Sequence, residues 1–357
     1  MTKPKVLISG ASVAGPALAY FLHRSGYDVT VVERASLVRD SGYAVDFRGA
    51  AFDVLAEMGV LDEIRGHDTK MRGTAVVDGS GTEIGQLPTE TFAGELEVPK
   101  RELTRILHEA TTGDVAYVFG DPITALTQHE SGVAVEFERG VAADFDLVFG
   151  ADGVHSNVRR LAFGPRADVL RHLGMSGVGF SIANYLGLDH TGLLRPGQGT
   201  TVYLFSSADS DRLTVSLSFA TSSPEWDRRS RAEQEQAVRS AFAGQGWEVP
   251  RLLDAMTDAE DFFFASSCQV HLDRWSCGRV ALVGDAGYCA APTSGMGTSQ
   301  ALIGAQALAR QLAAADADPE TAFAAYEKEL RPYVTDNQDK GYQTAVMFGG
   351  AAEPPSL

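Results

Sequence analysis

The 357-residue sequence predicts an α/β protein, a Rossmann-like dinucleotide-binding domain with a β-rich (α+β) domain inserted into it. Three observations carry that expectation. The chain opens with strand, helix and strand inside about 30 residues, the unit of a parallel sheet. From Pro165 to Ser276 the texture changes to long alternating runs with polar turns. After Gly278 the strand–helix alternation returns. The length fits two domains at roughly 150 residues each. We place the first at 1–73, 99–165 and 278–357, and the second at 74–98 and 166–277.

Each element follows from local pattern. Lys5 to Ser9 is a short apolar strand ending in Gly10, and Gly15 to Ser25 has helical spacing with Leu18, Phe21 and Leu22 on one face. Gly26 stops that helix before the β-branched run Asp28 to Glu33. Gly49 to Met58 reads as a helix. Thr74 to Leu87 reads as a hairpin around Asp78-Gly79-Ser80-Gly81. Arg101 to Ala110 is an amphipathic helix after Pro99. Val115 to Val118, Ile123 to Gln128, Val133 to Phe137 and Asp146 to Gly150 are strands, and a helix starts near Ser156. In the middle region Val178 to Tyr185, Thr200 to Ser206 and Leu213 to Ala220 suggest an antiparallel sheet, interrupted by one helix from about Arg231 to Phe242. Arg279 to Val283 is a strand, Gly295 to Ala315 a long helix and Pro319 to Asn337 another. Gly341 to Leu357 is expected to add little, with a frayed tail from Gly349.

Composition narrows the function. The formal charge of −17 argues against nucleic acid, whose phosphates call for clustered Lys and Arg. Cys268, Cys277 and Cys289 include no C-x-x-C pair and the eight histidines no H-x-x-x-H pair, so no metal site is expected. No window reaches the roughly 18 uninterrupted apolar residues of a membrane span. A reduced, soluble, cytoplasmic protein is expected, as a monomer or homodimer.

Three glycine-rich turns carry the chemistry. Gly10-Ala11-Ser12-Val13-Ala14-Gly15 lies between a strand and a helix, where a tight turn and free helix N–H groups meet a pyrophosphate. Ser12 stands where the pattern has its middle glycine. Glu33 follows Gly10 by 23 residues, near the roughly 20 expected of an acid that grips ribose. The second turn is Gly150-Ala151-Asp152-Gly153-Val154-His155-Ser156-Asn157-Val158-Arg159. The third is Val283-Gly284-Asp285-Ala286, followed by Pro292-Thr293-Ser294-Gly295-Met296-Gly297-Thr298. Singly the second and third could be mere loop punctuation, the lesser reading; in this order after the first they point to ligand-binding strand ends.

With these motifs the chain resembles the class A FAD-dependent aromatic hydroxylases, and within them the tetracycline-degrading monooxygenase branch. The likeness extends through Gly42-Tyr43-Ala44-Val45-Asp46-Phe47-Arg48-Gly49 and Arg101-Glu102-Leu103-Thr104-Arg105-Ile106-Leu107. It implies FAD in contact with Gly10, Ser12, Val13, Ala14 and Gly15, with Glu33 at the ribose and Arg34 by the adenine. Arg101 would reach the diphosphate and ribityl region and Asp285 the ribityl chain, with Asp152 and Gly284 in the same binding loops. Asp46 would lie close to the flavin, or else cap the helix after Gly49. Arg39 matches an NADPH contact. Pro292 would wall the ring, and the N–H groups of Gly295, Met296 and Gly297 would point at the charged edge of reduced flavin.

The implied reaction is NADPH-driven (or NADH-driven) hydroxylation by dioxygen of an aromatic or polyketide-like molecule, through a C4a-hydroperoxyflavin. No side chain is expected to act as general base, and His172, His190 and His271 read as structural or solvated. Phe180, Asn184, Tyr185 and Tyr203 are candidates for the substrate wall, though alternation alone does not fix their face. A flavin-dependent dehydrogenase or reductase, or a ligand-sequestering flavoprotein, would use the same scaffold.

Overall fold

A computed structural model describes residues 3–37, 43–164, 169–207, 211–315 and 318–350. The chain opens with β1 (Lys5–Ser9), α1 (Ala14–Arg24), β2 (Asp28–Glu33), β3 (Ala44–Phe47), α2 (Ala51–Glu57) and α3 (Leu61–Gly66). It continues through β4 (Thr74–Val77), β5 (Glu83–Leu87), α4 (Glu90–Ala93), β6 (Leu96–Pro99) and α5 (Lys100–Glu109). Then come β7 (Ala116–Phe119), β8 (Ile123–His129), β9 (Gly132–Phe137), β10 (Ala143–Phe145), β11 (Leu147–Gly150) and α6 (Asn157–Phe163). The middle region holds β12 (Leu170–Ala183), β13 (Thr191–Pro196), β14 (Thr200–Ser206), β15 (Arg212–Ala220), α7 (Arg231–Ala241), α8 (Val249–Asp258) and β16 (Phe263–Val270). The last part is β17 (Ser276–Cys277), β18 (Val280–Leu282), α9 (Asp285–Tyr288), α10 (Gly297–Ala314) and α11 (Pro319–Met347).

β1 is wholly apolar at Val6, Leu7 and Ile8 because it is buried on both faces. It lies at the centre of a six-stranded sheet in the order β17-β18-β11-β1-β2-β7, parallel except for β17. A parallel sheet places its strand ends on one side. Gly10, Glu33, Gly150 and Val283 therefore share one edge, and the three glycine-rich turns meet there.

A seven-stranded sheet follows the order β16-β12-β15-β14-β13-β4-β5. The β4–β5 hairpin joins it by parallel pairing of Ala75 with Leu193, so residues before α4 contribute to the sheet of the middle region. One face carries Val178, Phe180, Val202, Leu204, Val215 and Leu217, packed under α7 and α8 through Val238, Phe242, Leu252 and Met256. The sequence suggested one helix here; Pro250 in the first turn and the apolar spacing of Val249, Leu252 and Met256 make a second. α7 starts with a capping box, Ser230 Oγ accepting from Glu233 N and the Glu233 side chain accepting from Ser230 N. Ser230→Ala should lower stability by about 1 kcal/mol, read as a shift of the urea midpoint at unchanged slope.

The C-terminal segment departs most from expectation. α11 continues past Asn337 to Met347. Pro332 lies on its exposed side, so the carbonyl its ring leaves without a donor faces solvent. Gly341 lets the helix touch the Ala290 carbonyl, since a Cβ there would stand 2.2 Å from that oxygen. Ala345 packs with Leu173, Met175 and Ala291. This segment braces the loop before α10, where little was expected of it; the tail from residue 351 lies outside the described residues.

Candidate active site

The first turn is built by close approach. Gly10 has φ +110, and a Cβ on it would meet the Ala151 carbonyl oxygen at 2.4 Å. A Cβ on Gly15 would lie 1.8 Å from the Gly10 oxygen. Only glycine fits both places, so α1 starts directly against the end of β1. Val13 is its N-cap, with no side-chain cap and no acid in the first turn. The helix donors are left for an anion. Ser12 and Ala14 line the same turn, Ser12 half-buried. Glu33 closes it, accepting from Ala11 N at 3.0 Å and Ala35 N at 2.9 Å, while Arg34 beside it is exposed.

Asp152 has a structural task. Its carboxylate accepts from the Ser156 hydroxyl, Asn157 N (2.8 Å) and Val158 N (3.0 Å), capping the start of α6. Burial pushes its carboxyl up, against those bonds. Nearby, the buried Arg159 donates to Ala286 O and Val154 O, both at 2.7 Å. One guanidinium thus ties the second turn to the third. The motif contained Arg159, but nothing local in it signalled a link across 127 residues.

Gly284 (φ +64) would bring a Cβ within 3.1 Å of Ala14, which packs the third turn against the first. Asp285 follows it, its carboxyl pushed up by burial with the Cys289 thiol and Lys100 pulling it down. A Cβ on Gly297 would lie 3.9 Å from Asp285 Oδ1, so this carboxylate borders the start of α10. Pro292–Ser294 forms one tight turn, and Gly295 follows in the left-handed region with φ +62. Here the expected donor set changes. Gly295 N bonds Pro292 O (3.1 Å) and Met296 N bonds Ser294 Oγ (3.1 Å), so both are used internally. The uncapped donors begin at Gly297.

Side-chain amides hold this loop. Gln300 donates to Tyr288 O at 2.8 Å and accepts from Asn337 at 2.9 Å. Gln338 donates to Val270 O at 2.8 Å, and Gln269 donates to Ala290 O at 3.3 Å. Tyr288 is core, its hydroxyl paired with that of Tyr326 at 2.7 Å. The amides come from β16, α10 and α11, and sequence spacing offered no sign that they converge.

Beside α10 lies a charged group. Arg48 Nε donates to Asp46 Oδ2 at 2.8 Å, and Arg48 N donates to Ser299 Oγ at 3.0 Å. Asp46 therefore pairs with Arg48 and does not cap the following helix; a Cβ on Gly295 would come within 3.7 Å of its Oδ2. Burial raises the Asp46 carboxyl, while Arg48 and Lys340 lower it. Arg101 is half exposed beside Glu102, at 3.4 Å. Its neighbour Lys100 donates to Tyr43 Oη at 2.6 Å. Arg39 and Gly42 lie outside the described residues.

The four sheet candidates separate. Phe180 sits in the apolar core under α7 and α8. Asn184 donates to Leu188 O at 2.7 Å, holding a loop. Tyr185 donates to Glu248 Oε2 at 2.6 Å and lies under Arg251. Tyr203 alone of the four is on the opposite face, stacked between Phe92 (4.7 Å) and Phe205 (5.1 Å), its hydroxyl 3.5 Å from Thr74 Oγ1. Strand alternation puts Gly177, Gly179, Thr214, Ser216 and Ser218 on that face. Phe263 also points there, its ring tilted against Tyr43 at 5.2 Å, whereas Phe262 and Phe264 pack in the core. A separate cavity of about 1070 Å³ lies between β15 and α7, lined by Phe219, Trp226 and Arg229, and contains none of the turn residues.

The glycine turns, the uncapped α1 and α10, and a half-buried Asp285 bordering them fit a flavin dinucleotide, and they define a flavoprotein. The chain belongs to the family described as FAD binding domain, whose model matches residues 3–340. It is 40% identical to a flavin-dependent monooxygenase from an unknown prokaryotic organism, covering 96% of this chain and 90% of that one. It is 42% identical to a Mycobacterium tuberculosis protein described only as uncharacterized, over 93% of this chain and 91% of that one. The crystal structure of tetracycline destructase Tet(55) superposes with a TM-score of 0.90 at 39% identity, covering 99% and 92% of the two chains. The protein is an FAD-dependent monooxygenase. Among the described residues no helix is long and apolar enough to cross a membrane.

Proposed function

We propose that this enzyme uses NADPH, or NADH, and dioxygen to hydroxylate an aromatic or polyketide-like molecule. The substrate would lie between the Tyr203 face of the seven-stranded sheet and the start of α10. The supporting observation is that face itself: half-buried small and polar residues on β12 and β15, next to the Phe92–Tyr203–Phe205 stack. Such a surface leaves room for a flat ring system and stacks on it. Residues 1–73, 99–165 and 278–357 would form the FAD domain, with 74–98 and 166–277 as the substrate domain.

FAD, when bound and reduced, supplies the oxygen-activating chemistry. The chain's own part is to hold and orient. The turn from Gly10 to Gly15 and the α1 donors would take the diphosphate, Glu33 the ribose, and Asp285 the ribityl hydroxyls. The α10 donors from Gly297 onward would face the negative edge of the reduced ring, which preorganised N–H groups stabilise without reorientation. Pro292, fixed by the amide network, would wall the ring and exclude water.

The likeness to tetracycline destructases makes tetracyclines the first compounds to test, with phenols and hydroxyquinones beside them. NADPH oxidation by the FAD-loaded protein is expected to accelerate with at least one of them. No acceleration across the panel, with NADH as well as NADPH, would overturn the substrate class.

A further inference from the structure

Asp46 and Glu97 stand directly opposite each other in the antiparallel β3–β6 pair, so their side chains share one face. Their environments differ. Asp46 has the Arg48 guanidinium at 2.8 Å and turns toward Gly295. Glu97 has only a neutral partner, the Thr69 hydroxyl at 2.7 Å on its Oε2. Among the described residues its other oxygen takes no hydrogen bond, and the residue is half-buried. Thr69 is itself held in place, its N bonded to Glu97 O at 2.8 Å and its O to His190 Nδ1 at 2.6 Å. The Tyr203 ring lies close enough for its hydroxyl to feel the Glu97 charge. Glu97 therefore sits where the α10 side of the site meets the sheet face.

We infer that Glu97 is a proton-holding residue of the substrate chamber, donating a hydrogen bond from its free carboxyl oxygen to an acceptor oxygen on the substrate. The inference rests on the substrate position proposed above. The charged groups around it favour the neutral form. Asp46 and Asp68 are negative and disfavour a second charge, the Thr69 hydroxyl opposes them, Tyr203 is neutral, His190 meets the Thr69 carbonyl and Asp189, and Arg48 and Lys340 act on Asp46. Burial with these neighbours brings the Glu97 carboxyl up to about 7, so it is neutral below that pH and ionised above it. A neutral acid there favours substrates that present a carbonyl or enolate oxygen. The ionised form repels them.

The test is an infrared titration of the FAD-loaded enzyme from pH 5 to 9, with wild type, E97Q and T69V. A neutral-carboxyl stretch should fade as pH rises through about 7 and be missing in E97Q. T69V removes the bond that favours the charged form, so its midpoint should move upward. A merely structural Glu97 would not produce that shift. In parallel, tetracycline binding is followed by flavin fluorescence. Wild-type affinity should fall by about tenfold more than that of E97Q between pH 6 and 8.5, the loss of one hydrogen bond. Absence of the titrating band, or equal pH dependence in both proteins, overturns the inference. A normal band with no tetracycline binding at any pH contradicts the proposed substrate instead.

Discussion

Gly15→Ala is expected to give a protein that purifies without flavin and binds added FAD at least about 100-fold more weakly, a loss near 2.7 kcal/mol. The reason is space, since Gly15 lies in α1 and any residue could adopt that backbone. Its missing Cβ would occupy a point 1.8 Å from the Gly10 carbonyl oxygen, a backbone atom, and the Cβ position is itself fixed by the backbone. Neither a rotamer change nor a flexible side chain relieves the clash, so α1 must move away from the end of β1. The turn, the α1 donors and the Ala11 N–H that fixes Glu33 then lose their common geometry. Gly66→Ala is the matched control, because a Cβ there meets nothing within 4 Å. Flavin absorbance per chain and fluorescence titration of the apoprotein read the difference.

Arg159→Met should cost about 3 kcal/mol of stability and loosen flavin retention. The side chain is buried, and burial lowers its pKa while Asp152 opposes that effect. Its removal leaves the Val154 and Ala286 carbonyls without these donors and Asp152 without its neighbouring cation. Unpaired buried groups of this kind carry their full desolvation cost. Arg159→Lys keeps the charge but cannot span both carbonyls with a planar fork, and should fall between the two. Urea midpoints measured on apoproteins isolate the fold term; flavin content of the holoproteins reports the loop connection.

Local signals in the sequence account for the first half of the site. The Gly10 turn, Glu33 and the flanking strands lie within a few dozen residues, and their spacing is set by a single βαβ unit. Tyr203 was legible as a strand residue, but its face depends on which side α7 and α8 cover, and both are separated from β14 by a strand. Phe180 has the same alternating context and lies on the covered side. The Asp46–Glu97 pairing and the Gln269–Gln300–Asn337–Gln338 amides are contacts between distant segments, and no periodicity encodes them. The reach of α11 beyond Asn337 was hidden by Gly341, a residue that normally punctuates a helix. Here it permits close packing against Ala290. At the start of α10 the residue types were right but the donors shifted by two positions, because Ser294 and Pro292 take the Met296 and Gly295 N–H groups.

The most direct test is mass spectrometry of the product formed by the FAD-loaded enzyme with NADPH under isotopically labelled dioxygen, using the panel compound that most accelerates NADPH oxidation. One labelled oxygen atom in the product is the expected result. A product without label, or hydrogen peroxide as the sole fate of the consumed dioxygen, would contradict the account.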